Sequence, residues 1–125
     1  MSWLLAQTTL DTRLKALPSL GSAAIQWGNV GLTSQTAMYY AAHFMPSSVK
    51  PELHGSDHEM GIYQVSVFCP INAGTGAALV AAQAVIDWFK RQVINGVSCG
   101  VPTLTRPIQD AAWWHVPVSI PFIVL

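Results

Sequence analysis

Met60-Gly61-Ile62-Tyr63-Gln64-Val65-Ser66-Val67-Phe68-Cys69-Pro70, continued by Ile71-Asn72-Ala73-Gly74-Thr75-Gly76-Ala77-Ala78-Leu79, reads as a strand, a turn and the start of a helix. From Gly61 to Cys69 the odd positions carry Tyr63, Val65, Val67 and Cys69, while the even ones mix Ile62 and Phe68 with Gln64 and Ser66. That period of two belongs to a strand with one face in a core. Pro70 ends it. Thr75, between Gly74 and Gly76, is placed to cap a helix. From there Ala78, Ala82, Val85, Ile86, Phe89 and Val93 fall on one helical face, with Gln83, Asp87, Lys90 and Arg91 opposite. One amphipathic helix against one sheet face is therefore the smallest core the chain can build.

Outward from this unit, Trp3, Leu10, Leu14 and Leu17 form the stripe of a first helix that Ser2 is placed to cap, with Asp11, Arg13 and Lys15 facing out. Pro18 and Gly21 stop it. Ala24 to Trp27 is a short extended segment, Gly28-Asn29 a turn, and Ala37 to Met45 a strand with Met38, Tyr40 and Ala42 on one face and Tyr39, Ala41 and His43 on the other. Pro46 to Glu59 is the polar segment, holding Lys50, Glu52, Asp57 and Glu59 with His54 and His58. Such charges are costly to bury, so the expectation is a long hairpin loop reaching into solvent or toward a partner. After the main helix, Asn95-Gly96 and Cys99-Gly100 read as turns, and Val101 to Arg106 as a short strand broken at Pro102 and Pro107. The chain closes on Trp114, Val116, Val118, Ile120, Phe122 and Val124 in strict alternation with Trp113, His115, Pro117, Ser119 and Pro121. Pro117 and Pro121 share a parity, so their missing amides lie along one edge and deny it a full ladder. The expectation is an edge strand whose free side faces solvent or a neighbouring subunit.

A length of 125 residues suits one domain. Charged residues are 10% of the chain, against roughly 25% in ordinary soluble domains. With a mean hydropathy of +0.37, part of the exterior is expected to be buried against other subunits; the plain alternative is a globular domain with a neutral surface. Six basic and six acidic residues cancel and form no cluster, which argues against nucleic-acid binding. The charge-free run between Lys15 and Lys50 is interrupted by Pro18, Gly21, Gln26, Gly28, Asn29 and Gln35 and is no membrane span. The N-terminus lacks the basic region and cleavage site of a signal peptide, so synthesis in a cytosol is expected. Cys69 and Cys99 read as buried free thiols.

Chemistry-bearing residues are few. His54 and His58, four apart beside Asp57 and Glu59, would present two imidazoles to a metal on a helix, but they stand in a loop context without a third and fourth ligand. Cys69 with His58 or His115 has no acidic orienter and precedes a proline on a core strand. Gly74-Thr75-Gly76 lacks the ending of a phosphate loop and the third glycine of a dinucleotide fingerprint. No catalytic, cofactor-binding or metal site is assigned. Trp88 borders the helix's apolar face, and some of its surface, with that of Trp113 or Trp114, is expected at an interface.

The order of Arg13-Leu14-Lys15-Ala16-Leu17-Pro18, Ile25-Gln26-Trp27-Gly28-Asn29-Val30, the Gly61 to Phe68 strand with Pro70 and Gly74-Thr75-Gly76, and Trp114 to Phe122 resembles the phage tail terminator-like family of long, noncontractile tails. The resemblance implies an α+β fold over residues 1–125, a single domain with a mostly antiparallel β-sheet and two helices packed on it. It implies a homo-oligomer, a hexameric ring that caps the tail tube, ends its polymerisation and joins the head. Its partners would be the major tail tube protein and a head-tail connector or head-closure protein, in the virion at the head-proximal end of the tail, with no catalysis and no cofactor. Candidate contacts from the residues themselves are Lys50, Glu52, His54, Asp57, His58 and Glu59 of the polar segment, Trp88, and Pro117 and Pro121. Another neck or minor tail protein, such as a head-closure ring, is the alternative; a small metal-binding or enzymatic domain using His54, His58 and Cys69 is the remote one.

Overall fold

The alternating stretch forms β3 (Asp57–Pro70), and its odd residues Tyr63, Val65, Val67 and Cys69 are all buried. A computed structural model describes residues 3–21, 23–27, 37–51, 57–71, 75–110 and 113–125, with backbone alone at 47–51, 57–59, 75 and 110. The Ser2 cap, the Gly28-Asn29 turn and the Thr75 side-chain cap lie outside what is described. β3 has an antiparallel neighbour on each side, β2 (Tyr39–Pro51) and β8 (Trp113–Val124). The remaining strands are short: β1 (Ile25–Gln26), β4 (Val93–Ile94), β5 (Val97–Cys99), β6 (Thr103–Leu104) and β7 (Ile108–Asp110). The spatial order is β1-β2-β3-β8-β5-β4, with β6 and β7 also against β8. β1 is parallel to β2, and the other pairings are antiparallel.

Two helices, α1 (Trp3–Lys15) and α2 (Thr75–Phe89), cover one face. Ala6, Leu10 and Leu14 of α1 and Ala78, Ala82, Val85 and Phe89 of α2 join Tyr63, Val65, Val116, Val118 and Ile120 in one core. Each set recurs at three or four residues in a helix and at two in a strand, so burial follows the local period. The fold is α+β, a mostly antiparallel sheet with both helices on one side.

Four expectations need correction. First, the polar segment is largely sheet: pairing resumes past an irregularity between Pro46 and Val49, with Val49 opposite Glu59, Lys50 opposite His58 and Pro51 opposite Asp57. Pro46 offers no amide, so the ladder slips there and re-forms beyond it. Secondly, α2 stops at Phe89 and Val93 lies in β4 with 64% of its surface exposed. The helical period would carry it inward, but Arg91 turns the chain at φ 56° and gives its amide to the Gly100 carbonyl at 3.1 Å. Thirdly, Cys99 is the last residue of β5 rather than part of a turn; the Asn95-Gly96 turn forms, both residues at positive φ, as a tight two-residue hairpin requires.

The fourth concerns β8, which is an interior strand. Toward β3 its register is continuous from Trp113 to Ile123. On its other side β5 faces Phe122 to Val124, β6 faces Val118 and Ser119, and β7 faces Trp113 to His115. The gaps fall at Pro121 and Pro117. Both prolines direct their carbonyls to that side, where Gly100 and Thr105 donate to them at 2.8 and 3.0 Å, and neither has an amide to return. The prolines do break one edge, as their parity requires; three short strands then fill it piecewise.

Candidate functional site

With the helices on one face, the opposite face of the sheet is built from the other parity of β2, β3 and β8. Register aligns it in rows: Tyr39, Phe68 and His115; Ala41, Ser66 and Pro117; His43, Gln64 and Ser119; Met45, Ile62 and Pro121. In the first row the rings stack, Tyr39 on Phe68 at 4.8 Å and Phe68 on His115 at 4.3 Å, with Trp113 edge-on to Tyr39 at 5.0 Å. Ala41, Ser66 and Pro117 are buried between bulkier rows, and the Gln64 amide donates to Ser66 Oγ at 3.2 Å. Met45, Ile62 and Pro121 are exposed. None of these residues bears a formal charge, so the face is a neutral, partly apolar surface suited to a macromolecular contact.

The sheet's two ends differ. β1 covers β2 only at Tyr40 and Ala41, so among the described residues the outer edge of β2 is unpaired from Ala42 onward. Near the start of β2 a cavity of about 300 Å³ opens between that strand and α2, lined by Met38, Tyr40, Ala77, Val80, Ala81 and Ala84 with Ser19. At the other end β4 is the terminal strand, and a groove of about 310 Å³ runs between it and α1, past Leu5, Thr8, Thr12 and Ile94. Leu4, Leu5 and Val93 are exposed nearby.

Between the helices lies a clamp that the sequence did not announce. The Arg13 guanidinium sits 3.6 Å from the Trp88 ring centre and donates to the Trp88 carbonyl at 2.7 Å, while Trp88 Nε1 donates to the Arg13 carbonyl at 2.8 Å. Cation–π contact and reciprocal hydrogen bonds thus pin α1 to the end of α2. Two residues earlier on α1, Asp11 Oδ1 accepts from the Tyr63 hydroxyl at 2.5 Å. Burial raises the Asp11 carboxyl above its ordinary value, with the Tyr63 hydrogen bond and the Lys15 charge opposing. Burial, and after it Asp11, push the Tyr63 hydroxyl up as well, so it stays a neutral donor. Asp11 and Arg13, expected to face outward, are instead half-buried in these contacts. The two pairs are 52 and 75 residues apart in sequence, and no local pattern links them.

The candidate contact residues are scattered by the fold. Register brings Lys50 beside His58 and places Asp57 and Glu59 on the same ribbon; Glu52 and His54 lie outside the described residues. Trp88 is held in the clamp, half-buried; Pro117 is buried and Pro121 exposed. Cys69 and His115 do not form a pair, since His115 faces Phe68 across the ladder and so projects from the opposite side of the sheet. His58 precedes Cys69 on the same strand by eleven residues, about 36 Å of extended chain. Burial raises the thiols of Cys69 and Cys99, the latter to about 11, whereas a nucleophile needs a lowered value. Among the described residues no three metal-ligating side chains cluster, and no helix is long and apolar enough to cross a membrane.

This arrangement, two helices on one side of a mostly antiparallel sheet, is a small α+β domain whose other sheet face is neutral. A profile of the phage tail terminator proteins matches residues 7–122, and the chain belongs to that family. One solved structure superposes with a TM-score of 0.77 at 24% identity over 100% of this chain and 96% of the other. A second, from the virion of a native gene transfer agent particle, gives 0.70 at 18% identity, covering 98% of each chain. Those two likenesses carry the fold. No curated protein matches in sequence. Membership of that family makes the protein a structural component of a phage tail, located in the virion.

Proposed function

We propose that the chain acts as a homo-oligomeric ring, a hexamer by family resemblance, that sits on the end of the tail tube, stops its growth and presents the surface to which the filled head is joined. Its partners are then the major tail tube protein on one ring face and a head-tail connector or head-closure protein on the other, and it works by shape without catalysis. The observation that supports this reading is the pair of unlike sheet ends, a β2 edge and a β4 edge each left open among the described residues, on a chain with so few charges. Two different self-contacting surfaces on one protomer are what a head-to-tail ring needs. Lys50, Glu52, His54, Asp57, His58 and Glu59 of the polar segment, together with Trp88, Pro117 and Pro121, remain the candidate contacts.

Particles assembled without the protein test the reading. Overlong tails separated from filled heads are the expected result, and purified protein added to growing tube should fix its length. Tails of normal length that merely lack heads would overturn the capping role in favour of head closure.

A further inference from the structure

On the β2 side of the helix layer, two adjoining hollows that share Ser19 and Ala84 make one groove along α2. The first, of about 300 Å³, reaches Met38 and Val80; the second, of about 220 Å³, reaches Leu17 and Trp88. Val80 stands on its wall with 72% of its surface exposed. Of all the residues that line the groove, only Asp87 bears a charge. Its Oδ1 accepts from Gln83 Nε2 at 2.9 Å, and among the described residues no cation pairs with it.

The other end of the same layer has the opposite character. Arg91 gives its amide to the carbonyl of Gly100, the residue after β5, so Lys90 and Arg91 lie toward the β5–β4 end of the sheet, away from β2. Both are exposed, and among the described residues neither has an ion-pair partner. α1 passes there too, since Leu5 and Ile94 line one groove between it and β4. Leu4 and Leu5 keep 71% and 46% of their surface. Two cations beside two exposed leucines are the complement of an apolar groove with a single acid.

We infer that the α1–β4 corner of one copy docks in the α2–β2 groove of the next, with Leu4 and Leu5 against Val80 and Ala84 and with Lys90 and Arg91 facing Asp87. This rests on the ring reading and names its subunit contact. The occupant is a second copy, because groove and corner are both on every chain and at opposite ends of its sheet. Such a contact is head-to-tail and closes into a ring when its rotation permits.

Charge reversal tests it. Asp87→Lys and the double variant Lys90→Glu/Arg91→Glu alter exposed side chains, so each should keep the wild-type unfolding midpoint. Each should nevertheless assemble about tenfold more weakly at low salt, since like charges then meet. Mixed in equal amounts, the two should recover ring mass by native mass spectrometry, because each supplies the charge that the other's surface now matches. Val80→Ser, which trims the apolar wall, should weaken assembly at high salt as much as at low, since screening leaves apolar contact untouched. Any of these variants forming rings as readily as wild type, or reversed variants that do not rescue one another, overturns the contact while leaving the ring intact. Wild-type protein that forms no ring either alone or on purified tail tube would sink the ring reading itself and the contact with it.

Discussion

Ile120 and Ile62 stand on opposite faces of the same sheet, on neighbouring strands. Ile120 faces the helices and is fully buried; Ile62 faces away and keeps 40% of its surface. The helix-side face holds Val65, Val67, Val116 and Val118 without a polar break, while the other interleaves His43, Gln64 and Ser119 with Met45 and Pro121. Stability is thus concentrated on one side, and the other is free to vary with whatever it meets. A chain with little charge achieves this by facing its neutral side outward instead of burying it twice.

Identical truncations on the two faces test that division most severely. Ile120→Ala should cost about 2–5 kcal/mol, the lost burial plus the cavity left behind. Ile62→Ala, with much of its surface already wet, should stay within about 1 kcal/mol in denaturant unfolding. Equal losses at both sites would mean that the open face is also part of the core. Between these lies Gly61→Ala, at the point where the ribbon leaves the sheet. A Cβ there would stand 2.6 Å from the Met45 carbonyl oxygen and 2.9 Å from Phe122 Cζ. The Met45 oxygen is backbone and cannot swing away, so β2 and β3 must separate locally, at about 1–3 kcal/mol. A variant as stable as wild type would show that this junction yields freely.

Much of the helix-side face was legible because its signal is local. Tyr63 to Cys69 and Val116 to Val124 alternate, Leu10 and Leu14 recur at helical spacing, and period alone assigns them. What escaped depends on partners distant in sequence. The parity of Pro117 and Pro121 told which edge of β8 is broken, but not that three short strands would cover it in turn. Residues 46–59 read as loop because proline, glycine and charge dominate them, although the strands extend to Pro51 and from Asp57. Val93 kept the helical period past the residue that ends the helix. The Arg13–Trp88 and Tyr63–Asp11 contacts carry no sequence signal at all, since neither partner is unusual where it stands.

The Tyr63–Asp11 contact sharpens the comparison, since it is a polar intrusion into the otherwise apolar side. Tyr63→Phe removes the donor and leaves a half-buried carboxylate without that hydrogen bond, which should cost about 1–3 kcal/mol at neutral pH. Variant and wild type indistinguishable in urea would mean that water replaces the hydroxyl.

The smallest effect expected is a slope. Because burial is the leading cause and it raises the Asp11 carboxyl above 3.8, its ordinary value, the folded protein holds that proton more tightly than the unfolded chain does. Stability from this group is then fully present below the unfolded value and is lost as pH rises through the folded one. Asp11→Asn keeps an oxygen that can accept from Tyr63 but removes the charge, so its stability relative to wild type should improve from about pH 3 toward pH 7. Tyr63→Phe should steepen the wild-type slope, since the hydrogen bond that opposes the rise is gone. A wild type that instead gains on Asp11→Asn as pH increases would reverse the sign, showing that the Tyr63 hydroxyl and Lys15 outweigh desolvation and that the carboxylate is welcome where it lies.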